Sequence, residues 1–199
     1  MTTRRHAVQP VERNEILKIG EYEAVREPFR ARVIAEKKAR RVAFGPLATA
    51  VFENHDTVLL QIQEMIRTER ITREGAILHE IETYNQLIPA DGELSATVML
   101  EIDDRDAREN FLNAAATIHE HIAVEIDGER SPATWDERLV IPGRASAVLY
   151  LKFPLSNDAR RKITSGVAKV ALVANHPAYE ARAELSSPAL KSLAEDLVG

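Results

Sequence analysis

Three observations predict an α+β fold, a mainly antiparallel sheet packed with an N-terminal helical region that includes an αα-hairpin. Helical periodicity is gathered in the first half, where two amphipathic stretches over residues 57–70 and 73–88 are joined by a very short link. Strict apolar/polar alternation begins at Leu94 and recurs toward the C-terminus. Runs of strands that follow a helical region define α+β, whereas alternating strands and helices would define α/β. Without repeats or a Pro/Gly/Ser linker, residues 1–199 read as a single globular domain with a short N-terminal arm over about residues 1–20.

The elements follow in order. The arm carries a short helical turn around residues 14–18. A helix over 22–42 has Pro28 near its first turns, where it can split the helix, and Gly45-Pro46 ends it. A short strand covers 47–53. Asp56 caps helix 57–70, Thr72 caps helix 73–88, and Pro89 stops the second. Asp91-Gly92 turns the chain into strand 94–102, whose Leu94, Ala96, Val98, Leu100 and Ile102 share one face and are expected to face the helices from a central position. A helix over 105–115 precedes a strand with Ile122, Val124 and Ile126 on one face. Asp127-Gly128 signals a type I′ hairpin into 129–135, where Pro132 marks an edge. Strand 145–153, a short helix after Ser156, and a hairpin of 167–174 with 179–185 around His176-Pro177 complete the sheet. Ser187-Pro188 opens the last helix.

Composition bounds the function. The chain has 45% hydrophobic and 29% charged residues and no cysteine, which excludes thiol catalysis, disulfides, and cysteine-ligated zinc or iron–sulfur centres. No apolar run approaches the ~18 residues that span a bilayer. The start, MTTRRHAVQPVER, lacks the apolar segment of a secretory signal, so a cytoplasmic protein is expected. A net charge of −5 argues against a nucleic-acid binder, yet Arg26, Arg30, Arg32, Lys37, Lys38, Arg40 and Arg41 form a basic helix over 26–41. Those charges spread around the helix, as on a solvated surface. There is no P-loop, GxGxxG turn, GxSxG elbow or HExxH helix.

The most informative candidates are polar residues on or beside the apolar stripes of the two paired helices, because a polar group facing inward needs a partner or a ligand. Glu69 falls within the stripe of Val58, Ile62, Met65 and Ile66, with Gln61 at its edge; Glu80 and Asn85 flank the stripe of Ile77, Ile81, Tyr84 and Ile88. With Glu64 and Arg67 these residues predict a carboxylate-lined pocket between the helices, unless nearby arginines neutralise the carboxylates. No histidine has a glutamate three residues before it, so the spacing does not fit a ferritin-like di-iron site, and no metal-ligand set is assigned. His119 and His121 are expected on a solvated strand face. Trp135 and Tyr150 read as core or edge aromatics, and His176-Pro177 as turn chemistry.

The segments FENHDTVLLQIQEMIRTERI, ETYNQLIPADGELSATVMLEI and HPAYEARAELS, in that order, resemble an uncharacterised bacterial family catalogued as domain of unknown function 3501. The resemblance runs from about Ile16 to the end. It implies no established activity. It implies a loose association with rubrerythrin-like proteins and iron–sulfur oxidoreductases, and hence with peroxide or iron chemistry.

Three functions follow: a non-enzymatic accessory or interaction protein linked to redox, oxidative-stress or iron metabolism; a metal- or small-ligand-binding protein, an enzyme in one form of this reading, using the helix-hairpin pocket; and an RNA- or nucleotide-binding module using helix 26–41. Cofactor and partner stay unassigned beyond the rubrerythrin-like and iron–sulfur oxidoreductase association. Exposed alternation and a proline edge make homo-oligomerisation an expectation.

Overall fold

Alternation decides the sheets. Leu94, Ala96, Val98 and Leu100 are buried along β3 (Glu93–Leu100), and Thr97 and Met99 between them are half-buried. In the computed structural model, which describes residues 7–198, β3 pairs antiparallel with β2 (Ala48–Phe52) on one side and β6 (Val148–Pro154) on the other, so it is central. β1 (Arg41–Phe44) joins β2 at the outside to complete a first sheet ordered β1-β2-β3-β6. The second sheet is ordered β5-β4-β7-β8, from β4 (Ile122–Ile126), β5 (Glu129–Pro132), β7 (Val170–His176) and β8 (Tyr179–Glu184). Both sheets are wholly antiparallel, and with six helices among the described residues the fold is α+β.

The apolar faces of the two sheets share one core, in which Leu94, Val98 and Leu151 meet Ile122, Val124 and Leu172. Leu112 of α4 (Arg105–Ala114), Ile163 of α5 (Asn157–Thr164) and Leu193 of α6 (Ser187–Leu197) belong to the same core. The sheets also approach each other at both edges, β8 beside β1 and β5 beside β6. Across the first seam the Tyr179 hydroxyl donates to the Phe44 carbonyl. Gly45, at φ +70, is required beneath it, since an added Cβ would sit 2.6 Å from that hydroxyl. Across the second seam Thr134 and Lys152 exchange backbone hydrogen bonds of 2.7 and 2.9 Å.

The helical hairpin, α2 (His55–Thr68) and α3 (Glu74–Asn85), forms a second and separate core. Val58, Ile62 and Ile66 pack on Ile77, Ile81, Leu87 and Ile88, and the arm closes the cluster with Val11 and Ile16. The apolar side of the hairpin is thus used on itself and the arm. Toward the first sheet it presents polar groups, and the apolar face of β3 turns to the second sheet instead of to these helices as expected. α1 (Ile19–Arg40) packs on α2, α6 and β2, and so joins the two regions.

Several boundaries move for local reasons. Pro28 does not split α1, because the carbonyl it frees belongs to Ala24 on the exposed side of the helix, where water can satisfy it. α1 ends at Arg40, and residues 41–44 alternate exposed and buried as a strand that helical periodicity had hidden. Asn54, not Asp56, caps α2: its side chain accepts from the Thr57 N–H, and the Thr57 hydroxyl accepts from the Asn54 N–H in return. α3 starts at Glu74 with no side-chain cap, so Thr72 does not cap it. Ser186, one residue before the expected cap, caps α6. Asp127 and Gly128, at φ 49 and 89, form the predicted type I′ turn. Residues 1–6 of the expected arm lie outside the described residues.

Candidate functional site

Four of the six polar residues of the hairpin have side-chain partners among the described residues, but the structure sends them in different directions. Glu64 faces α1, where it accepts from the Tyr22 hydroxyl at 2.7 Å and from Arg26 at 2.8 and 2.9 Å. Arg26 first, with Tyr22 behind it, holds the Glu64 carboxyl below its ordinary range against the opposing effect of burial. Arg67 pairs with Glu23 of α1 at 2.6 Å. Gln61 donates at 3.2 Å to the buried carboxylate of Glu53, which also accepts from Thr57 at 2.5 Å and Thr97 at 2.8 Å. Asn85 accepts from the Val11 N–H at 2.8 Å and donates to its carbonyl at 3.0 Å, holding the arm. Glu69 is exposed at the end of α2. Of the six predicted site residues only Glu80 lines the cavity described below, so they form no common pocket between the two helices.

The basic helix is not simply solvated. Arg40 is 1% exposed, donates to the Phe52 and Glu53 carbonyls at 2.7 and 3.0 Å, and lies 2.6 Å from Asp196. Arg32 pairs with Asp56 at 2.5 Å. Arg30, Lys38 and Arg41 remain exposed.

The histidines differ from expectation too. His119 and His121 lie in a 3-10 turn (Ile118–His121) before β4, and His119 is buried with its ring 4.6 Å edge-to-face from Trp135. His176 Nδ1 accepts from the Ala178 N–H, which leaves the proton on Nε2, 3.3 Å from the Thr117 hydroxyl. Among the described residues no group of three or more His, Cys, Asp or Glu is placed to hold a metal.

The cavity lies where hairpin and sheet fail to merge. Because the hairpin closes its own core, α3 stands off the outer face of β3 and β6, and a space of about 520 Å³ remains between them. α3 supplies Glu80, Thr83 and Tyr84, followed by Gln86 and Leu87; the strands supply Ser95, Tyr150 and Lys152; Thr134, Trp135, Asp136 and Leu139 close the side. Its size is that of a small-molecule site. Trp135 is the only tryptophan of the chain, and its buried indole N–H has no acceptor among the described residues. On the far side of Trp135 a smaller space of about 130 Å³ shares Trp135, Asp136, Leu139 and Tyr150 and reaches His119.

Two of the three charged groups in the lining are already committed. Asp136 accepts from the Arg138 N–H and guanidinium at 2.5–3.0 Å, and that arginine holds its carboxyl down to about 2. Lys152 donates to the Ile88 carbonyl at 3.1 Å and lies 3.4 Å from Glu93. Among the described residues Glu80 has no hydrogen-bond or ion-pair partner. Burial foremost, then Glu80 and Tyr150, pushes the Tyr84 phenol up, so it stays protonated. Sequence reasoning found Glu80 but missed Tyr150 and Trp135. The available signal was the placement of Tyr150 and Lys152 on the face of β6 opposite Leu149 and Leu151.

Fold and cavity together define an α+β protein of two opposed antiparallel sheets with a small-molecule-sized space beneath a helical hairpin. The chain belongs to the family described as Protein of unknown function (DUF3501), whose model matches residues 10–197. It is similar to a crystal structure from Burkholderia pseudomallei K96243, described as a novel protein of unknown function, with 32% identity and a TM-score of 0.88 over 95% of this chain and 100% of that one. No curated protein matches the chain.

Proposed function

We propose that the protein is a non-enzymatic accessory protein that works by binding a small organic molecule in the cavity between α3 and the first sheet. The observation that carries this reading is the cavity itself: about 520 Å³, walled by aromatic rings, with hydrogen-bonding side chains at Glu80, Thr83, Tyr84, Gln86 and Tyr150 that no partner among the described residues occupies. Binding, not catalysis, fits the lining. No lining hydroxyl is hydrogen-bonded to a lining carboxylate or amine as a nucleophile is to its base. The proposal extends to a role in redox, oxidative-stress or iron metabolism beside rubrerythrin-like or iron–sulfur oxidoreductase partners, and that extension rests on family association alone.

Trp135 supplies the readout. A library of small cyclic organic molecules is screened by melting temperature and by Trp135 fluorescence, against wild type and Gln86→Phe, which fills the cavity from an exposed position on its rim. Ligands are expected to raise the melting temperature of the wild type, to change its fluorescence, and to do neither in the variant. A library in which every effect survives Gln86→Phe, or in which none appears, overturns the reading.

A further inference from the structure

We infer that the cavity under α3 selects an organic cation, a substituted ammonium carried on a small apolar body. The inference rests on the proposed binding role of this cavity and adds the chemical class of its ligand. The chain has one tryptophan and four tyrosines, and Trp135, Tyr84 and Tyr150 all line this one space. Aromatic faces carry negative quadrupole charge, so three rings around a space of this size attract a cation, while the Trp135 N–H is a single neutral donor that an acceptor atom on the same ligand can use.

The charge balance points the same way. Asp136 is neutralised by Arg138, and Lys152 is held by Glu93 and the Ile88 carbonyl, so neither is free to pair with a ligand. Glu80 is the lining charge that remains, and it lies on the same helix face as Tyr84, one turn earlier. Glu80 and Tyr84 of α3 and Tyr150 of β6 line the same space, so carboxylate and both rings border it together. A primary or quaternary ammonium seated there meets a carboxylate and ring faces together. A ligand carboxylate or phosphate would meet an unpaired Glu80 and find no free cation to offset it.

The test uses the full chain and three molecules of nearly one shape: benzyltrimethylammonium, its neutral carbon isostere neopentylbenzene, and the anion phenylacetate. Trp135 fluorescence follows each titration, and melting temperature provides a second measure. The cation is expected to bind at least ~10-fold more tightly than the isostere, with phenylacetate weakest. Glu80→Gln should weaken the cation ~10-fold and leave the isostere unchanged, and Tyr150→Leu should weaken the cation more than the isostere. Both side chains are partly exposed, so the variants are expected to fold, which the melting temperature of the empty protein checks. Equal or tighter binding of the isostere or of phenylacetate overturns the cation assignment and leaves the cavity as a binding site. Silence of all three overturns it as well, and the library screen then decides separately whether the cavity binds anything.

Discussion

Arg40 shows why a charge read along a helix can mislead. Its position among other basic residues suggests a solvated face, yet it is 1% exposed and reaches two backbone carbonyls, Ser192 and Asp196. Nothing local indicates this, because Asp196 and Ser192 come from the far end of the chain. Burial raises the Asp196 carboxyl against the lowering effect of Arg40, so the pair is balanced between desolvation and attraction. Arg40→Leu should therefore cost about 3–5 kcal/mol in urea unfolding, since it leaves a buried carboxylate uncompensated. Adding Asp196→Leu should recover most of that loss; a double variant no more stable than Arg40→Leu would show that the carbonyl contacts matter and the charge pair does not. Glu64 offers a milder case with a pH signature. Its folded-state carboxyl lies below the ordinary range, chiefly through Arg26, so its contribution is complete above the unfolded carboxyl range and is lost as pH falls through the lower folded value. Glu64→Gln should lower stability by about 1–2 kcal/mol at pH 7 and flatten the decline of stability below about pH 4.5. An unchanged acid limb would locate that decline elsewhere. That Glu64 needs a partner was readable from the sequence; which partner was not, since Tyr22 and Arg26 of α1 supply it.

Asn85 and Gln63 extend this argument to the way elements are joined. Each uses its amide to grip one backbone residue of the arm, Asn85 both the N–H and carbonyl of Val11, and Gln63 those of Leu17 at 2.8 and 3.2 Å. An extended arm cannot satisfy its own backbone groups, so two helices supply the missing ladder. The arm in turn seals the hairpin with Val11 and Ile16, and burying each such side chain is worth about 1.5–3 kcal/mol. Asn85→Leu keeps the apolar surface but removes one grip. Amide exchange at Val11 is expected to accelerate more than tenfold in this variant while exchange along β3 stays unchanged. Protection at Val11 equal to wild type would assign the docking to apolar contact alone. Strands and the Asp127-Gly128 turn were largely apparent in the sequence, because alternation and turn chemistry are local. The helix caps were not: Asn54 and Ser186 cap where Asp56 and Ser187 were expected, and Thr72 caps nothing. The strand at Arg41–Phe44 was not either, since four residues cannot outvote the strong helical period before them.

The fold class could be read, but the division into two sheets could not, because pairings such as β3 with β6 and β4 with β7 join segments about fifty residues apart. The cavity was hidden for the same reason: α3, β3, β6 and the segment after β5 each supply a part. Within one chain β1 lies beside β8 and β5 beside β6, so the outer strands of the two sheets face each other. More consequential is the presence of two large hydrophobic cores, one between the sheets and one within hairpin and arm, linked by α1 and by the polar contacts of Glu53 and Arg40. A link of this kind allows the smaller hairpin core to open while the sheet core stays closed. Val98→Asp places an unpaired charge in the sheet core, where Val98 is 0% exposed, and should abolish cooperative folding of the whole chain. Ile77→Asp puts the same charge in the hairpin core. It should release the amides of α2, α3 and the arm to exchange while β4 and β7 keep their slow exchange, with a cooperative melting transition retained. Fluorescence of Trp135 should shift as α3 leaves the cavity. Loss of protection throughout the chain in Ile77→Asp would show that the two cores stand or fall together. In that case the cavity would be a gap inside one cooperative unit, not the boundary between two.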